Sequence, residues 1–140
     1  MPIRFFAEDI KFKVPQPVKT KQWIRRVLGA EGYLTYEITY IFCSDDHLLH
    51  INQQFLKHYT YTDIITFDMG TLSERMVGEI YVSVDRIREN SQKFGVSFEN
   101  ELSRVMIHGI LHLCGLNDKS EREKRRMRRK EDTYLSLLEF

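Results

Sequence analysis

The segment His108-Gly109-Ile110-Leu111-His112-Leu113-Cys114-Gly115-Leu116-Asn117-Asp118 constrains its own geometry more tightly than any other stretch of the chain. His108 and His112 lie four residues apart. That is just over one helical turn, so on a helix both imidazoles leave the same face and can converge on one ion. Gly115 follows three residues later, where a left-handed residue can end the helix and turn the chain back. Asp118 falls ten residues after His108, on the returning segment. A carboxylate there completes a three-ligand site for one divalent metal ion and leaves a fourth position for water. Cys114, two residues after His112, points to another side of the helix and reads as packing. His47 and His50 share a helical spacing and read as solvent-facing, and His58 has no comparable setting.

The rest of the chain alternates between strand and helix patterns. Ile10, Phe12 and Val14 alternate as in a strand, before Pro15 and Pro17 break the pattern. Lys19 to Leu28 reads as a helix that Gly29 or Gly32 ends. Leu34, Tyr36, Ile38, Tyr40 and Phe42 give the clearest period-two strand. Ser44, Asp45 and Asp46 can cap a helix from about His47 to Lys57. Asp63 to Phe67 and Val77 to Val84 read as strands joined by a hairpin-like excursion. Asp85 can cap a helix ending at Gly95, and Ser97 caps the next, which stops near Gly115. The expected order is β-α-β-α-β-β-α-α-α. It implies an α+β fold, a small mixed sheet of about four strands covered by about five helices.

Composition bounds the function. A chain of 140 residues, 42% of them hydrophobic and 29% charged, can bury one core without disulfides, so residues 1–140 read as a single domain. No run reaches the roughly 18 apolar residues of a membrane helix, and Met1 to Asp9 lacks a signal-peptide core. Two distant cysteines, Cys43 and Cys114, suit a reduced, cytoplasmic protein with no membrane partner. The net charge of +1 speaks against a uniformly basic nucleic-acid protein. The balance is uneven, however. Lys119 to Lys130 holds eight Lys and Arg against two Glu, so the remainder is net acidic. Ser120 and Glu123 have capping-box spacing, which makes this run helical. It is either a solvated face, offset by Glu131, Asp132 and Glu139, or a stripe that contacts phosphates.

Two histidines and a carboxylate with one open position make a Lewis acid and a source of metal-bound hydroxide, and hydrolysis is the natural use. The metzincin protease pattern has similar metal spacing, with a glutamate base directly after the first histidine. Here that residue is Gly109, which cannot move a proton, so a metzincin-like peptidase is disfavoured. Asp63 and Glu79 are further candidates for the site, and each reads equally well as a strand-end structural carboxylate.

The same residues carry a family resemblance. H-G-I-L-H-L-C-G-L-N-D resembles the H-G-x-L-H-L-x-G-[aromatic]-D-H signature of the YbeY family. Upstream, Ile51-Asn52-Gln53-Gln54-Phe55 resembles that family's L-N-x-x-[aromatic] block. Thr62-Asp63-Ile64-Ile65-Thr66-Phe67 resembles T-D-V-L-S-F, and Gly78-Glu79-Ile80 resembles G-D-I. The resemblance implies a single-strand-specific, metal-dependent endoribonuclease of 16S rRNA maturation and ribosome quality control. It also implies zinc as the ion, with no other small-molecule cofactor, and ribosomal RNA and the small ribosomal subunit as partners. His108, His112 and Asp118 would hold the ion. Lys57, Lys119, Arg122, Arg125, Arg126 and Arg129 would be the RNA contacts, with Lys57, Asp63 and Glu79 as candidates for a catalytic role.

Two departures stand out. The family's third ligand is a histidine, and here it is Asp118, whose negative charge makes bound water less acidic and oxygen-preferring metals more competitive. The family's arginine after the aromatic is here Leu56. A ribosome-assembly factor with a structural metal and no cleavage is therefore the alternative of a different class.

Overall fold

A computed structural model describes residues 1–72 and 75–138. Among them are four strands and five helices, in the order expected from the sequence. They are β1 (Ile3–Ala7), α1 (Pro17–Ala30), β2 (Tyr36–Cys43), α2 (Asp45–Leu56), β3 (Ile64–Leu72), β4 (Arg75–Ser83), α3 (Val84–Phe94), α4 (Phe98–Leu113) and α5 (Glu121–Leu135). The sheet order is β1-β2-β4-β3. β1 and β2 run parallel, as do β2 and β4, while β3 and β4 form the antiparallel hairpin. The sheet is mixed and the class is α+β, as the sequence implied.

Alternation in β2 and β4 decides where the helices go. Tyr36, Ile38, Tyr40 and Phe42 of β2, with Met76, Ile80 and Val82 of β4, face one large core shared with α1, α3, α4 and α5. The opposite face carries a smaller cluster of Cys43, Ile65, Phe67 and Tyr81 under Leu48 and Ile51 of α2. Helix α4 can lie close to the sheet because residue 109 is glycine. A Cβ there would come within 2.9 Å of both Ile64 Cδ1 and Ile80 Cγ2.

Three sequence expectations are corrected. The first strand is Ile3–Ala7, paired to β2 from Ile3↔Ile38 to Ala7↔Phe42, and Ile10, Phe12 and Val14 form no strand. The chain turns at Asp9, which accepts hydrogen bonds from the Ser44 amide and hydroxyl. Phe12 then packs on Phe42 and Phe98, with ring centroids at 5.1 and 6.1 Å. The alternation at 10–14 reports a face turned to the core, half-buried at Ile10 and Phe12 and buried at Val14, without a partner strand. Second, Ser83 caps α3, its hydroxyl accepting from the Arg86 amide. Asp85 sits inside the first turn and accepts from the Asp45 amide. Third, β3 runs to Leu72, well past Phe67. Ser44, Ser97 and the Ser120–Glu123 capping box act as expected.

Candidate metal centre

The last turn of α4 and the loop after it build the site. Gly115 has φ +96°. Its amide donates to the His112 carbonyl at 3.0 Å, and the Leu116 amide donates to the Leu111 carbonyl at 3.0 Å. This left-handed closure satisfies the helix end and reverses the chain. The reversal brings the Leu116 carbonyl back to His112 and Asp118 back to both histidines. Asp118 Oδ2 lies 3.3 Å from His108 Nε2 and 3.4 Å from His112 Nε2. The two Nε2 atoms are 2.9 Å apart.

The ring partners fix the tautomers. His108 Nδ1 faces Glu131 Oε2 at 2.6 Å, and His112 Nδ1 faces the Leu116 carbonyl at 2.9 Å. Both partners are acceptors, so each Nδ1 carries the proton. In the neutral rings both Nε2 atoms then present lone pairs to each other and to a carboxylate oxygen. Three donor atoms crowded without a proton between them fit a shared cation. Neighbouring ligands of a tetrahedral zinc ion are about 3.3 Å apart, given bonds of about 2.0 to 2.1 Å. The three separations here bracket that edge. His108, His112 and Asp118 are also the only such cluster of potential ligands among the described residues.

Behind the ligands lies an ion-paired network that the sequence reading missed. Glu131 of α5 is only 5% exposed. It receives Arg104 Nη1 at 2.9 Å as well as His108, and Arg104 also donates to Asp132 at 2.7 Å. Burial disfavours the His108 imidazolium, but Glu131, then Asp118 and Asp63, offset this and hold its pKa above the ordinary histidine value. A carboxylate on the far nitrogen orients a ligating histidine and raises its basicity. From charge alone Glu131 and Asp132 only offset the basic run, as does Glu139, which lies outside the described residues. The available signal was their period, since Met127, Glu131 and Tyr134 form the buried stripe of α5.

A groove of about 790 Å³ runs past His108, His112 and Asp118. It is lined further by Leu56 at the end of α2 and by the loop of residues 58–63, pinned by buried Asn52, whose side-chain amide donates to the Thr60 carbonyl at 2.9 Å. Asp63 and Lys119 line this groove, and so do Leu56 and His58. Burial, the largest influence, pushes the Asp63 carboxyl up, against the pull of His108. Lys57 does not line the groove. It caps α2 in a left-handed conformation, φ 56°, exposed to solvent. Glu79 alternates with Gly78 and Ile80, which face α4, so it lies on the opposite face of the sheet from the histidines. Cys114 caps α4 on the side of Glu31 and Tyr33, and burial pushes its thiol up to about 12. It is a packed thiol, as its spacing implied.

The basic helix divides by face. Lys124 and Arg128 line a recess with His108, Asp118 and Glu131. Arg126 and Arg129 lie on another flank with Lys130, whose ammonium is 2.8 Å from Glu31. Arg122 and Arg125 are exposed, on the side of α5 away from the core. Of the expected basic contacts, the fold therefore brings Lys119 to the groove. Lys124 and Arg128, members of the same basic run, face the neighbouring recess instead.

Comparison with known proteins follows the same lines. The family model described as endoribonuclease YbeY matches residues 5–139. A Cytophaga hutchinsonii protein named endoribonuclease YbeY is 44% identical over 138 residues, covering 99% of this chain and 96% of its own. A Flavobacterium psychrophilum protein of the same name is 47% identical over 132 residues, covering 94% of each. The solution structure of a Thermotoga maritima protein superposes with a TM-score of 0.69 at 30% identity, covering 96% of this chain and 87% of that one.

Proposed function

Because this chain belongs to the endoribonuclease YbeY family, we propose that it is a metal-dependent endoribonuclease that hydrolyses phosphodiester bonds of single-stranded RNA. The observation that carries this reading is the convergence of His108 Nε2, His112 Nε2 and Asp118 Oδ2 beside an open groove. A bound divalent ion, of which zinc best suits two imidazoles and one carboxylate, supplies Lewis acidity toward phosphate and an activated water. Glu131 and the Leu116 carbonyl hold the two imidazoles in the ligating tautomer. Lys119 supplies positive charge to the groove, and Lys124 and Arg128 to the neighbouring recess. Asp63, half-buried beside His108 with a raised carboxyl pKa, is positioned to hold or move a proton at the groove. The substrate is ribosomal RNA, in 16S maturation and ribosome quality control. The partner is the small ribosomal subunit, the compartment is the cytoplasm, and residues 1–140 act as one domain. No helix among the described residues is long and apolar enough to cross a membrane.

A second reading has its own observation. Leu56, at the position of the family's arginine, lines the groove with an uncharged side chain. An assembly factor that binds RNA through a structural metal would need no cation there. One experiment separates the two. Wild type should bind about one ion per chain and cleave a single-stranded ribosomal RNA precursor, and Asp118→Ala should lose both properties. Metal-loaded protein that binds the precursor and never cleaves it would install the second reading. A peptidase of the metzincin type finds no support, because residue 109 points at Ile64 and Ile80 and has no room for a glutamate.

A further inference from the structure

Glu101 is the one buried carboxylate on α4 that the metal centre does not use. It is 5% exposed and stands two turns before His108 on the same helix stripe. Among the described residues, none donates a hydrogen bond to its carboxylate and none forms an ion pair with it. Yet every fully enclosed polar side-chain atom among those residues has a partner. Its oxygens must therefore open onto the recess of about 360 Å³ that it lines together with His108 and Asp118. That volume lies in the range of small-ligand sites. The carboxylate thus presents its acceptors to whatever fills the recess, solvent or a ligand that supplies donors.

The surroundings restrict the occupant. Asp63 and Glu131 raise the Glu101 carboxyl from one side, after burial itself, and Arg104 and Arg128 lower it from the other. The recess is thus no bare acidic cluster. Two guanidinium groups oppose a second cation, and no second set of converging metal ligands occurs among the described residues. Among these charged groups, Ile64, Val105 and Met127 supply apolar wall, and the exposed Phe94 ring lines the recess as well. A planar group with two adjacent N–H donors on one edge fits this combination. The seven-residue step from Glu101 to His108 spans about 10 Å along the helix. That is comparable to the reach from a phosphorus atom to the far edge of the base in the same nucleotide.

We propose that this recess is a nucleobase subsite in which Glu101 accepts hydrogen bonds from N1–H and N2–H of a guanine next to the phosphate held at the metal centre. Glu101 is then a specificity-determining residue, stacking is supplied by Phe94, and Lys124 and Arg128 face the adjoining backbone. The identity of the occupant as a substrate base rests on the endoribonuclease reading. Cytosine, adenine and uracil each lack the paired donors and leave the carboxylate unsatisfied.

The test uses the full chain loaded with zinc, titrated with GMP, IMP, AMP, CMP and UMP and followed by NMR. Inosine lacks only the N2 amino group. GMP should bind at least about tenfold tighter than IMP or the other three. Glu101→Gln should bring GMP to parity with IMP while metal content stays unchanged. An oligoribonucleotide with a single guanosine should displace GMP, and one without guanosine should not. Equal affinity for GMP and IMP in wild type overturns the proposal whether or not Glu101→Gln folds. A guanine preference that survives in Glu101→Gln overturns the role of that residue. Failure of the guanosine oligonucleotide to displace GMP assigns the recess to a free nucleotide and overturns its part in substrate recognition. RNA cleavage without guanine preference would sink this proposal alone. Guanine binding without any cleavage would sink the endoribonuclease reading while leaving the base recess in place.

Discussion

Substitution of Glu131 separates the ligand triad from the network that orients it. Glu131 is buried and makes two short charge-assisted contacts, to His108 Nδ1 at 2.6 Å and to Arg104 at 2.9 Å. Glu131→Ala removes both and leaves Arg104 with Asp132 alone, a partner whose side chain is 57% exposed. Breaking a buried pair in this way costs about 3 to 5 kcal/mol. For a chain of 140 residues even the lower value lowers Tm by roughly 10 °C. Glu131→Gln is the more informative change. Its amide oxygen can still accept from His108 Nδ1, so the tautomer survives and only the charge is lost. Stability should fall by about 1 to 2 kcal/mol, and metal affinity by about tenfold or more. The assays are thermal unfolding after chelation and competition for zinc against a chromophoric chelator. Zinc affinity within twofold of wild type in Glu131→Gln would refute the claim that this carboxylate tunes the metal centre.

Three further outcomes are expected. Lys124→Glu and Arg128→Glu should each weaken RNA binding and reduce its salt slope by about 1, while Arg126→Glu and Arg129→Glu should do so far less, as read by filter binding across a salt series. Glu31 has its carboxyl pKa lowered from 4.5, burial being outweighed by hydrogen bonds from Lys130 and Tyr134. Its contribution to stability is complete above pH 4.5 and is lost as pH falls through the lower folded value, so Glu31→Gln should flatten the acid limb of a Tm–pH curve. Gly109→Leu should lower Tm by several degrees, because its Cβ alone would lie within 2.9 Å of Ile64 and Ile80 and overpacking costs about 1 to 3 kcal/mol. An unchanged Tm would mean that α4 can lift off the sheet freely.

The sequence by itself determined whatever depends on near neighbours in the chain. The pair His108 and His112, the closure at Gly115 and the return of Asp118 span eleven residues, and a helical turn plus one left-handed residue fixes their mutual placement. The Ser44, Ser97 and Ser120 caps belong to the same class, since each bonds an amide three residues on. Tertiary structure decided everything that needed a distant partner. Strand alternation marks a buried face, yet only the β2 edge selected Ile3–Ala7 over residues 10–14 for pairing. Glu131 reaches His108 across 23 residues, and Lys130 reaches Glu31 across 99. These contacts belong to one rotation of α5 about its axis, which sends Lys124 and Arg128 toward the metal site and Arg126 and Arg129 away. A run of eight cations in sequence has no inner and outer side. It acquires one only when Met127, Glu131 and Tyr134 bury their stripe against the core, because desolvation there, and not charge pattern, orients the helix.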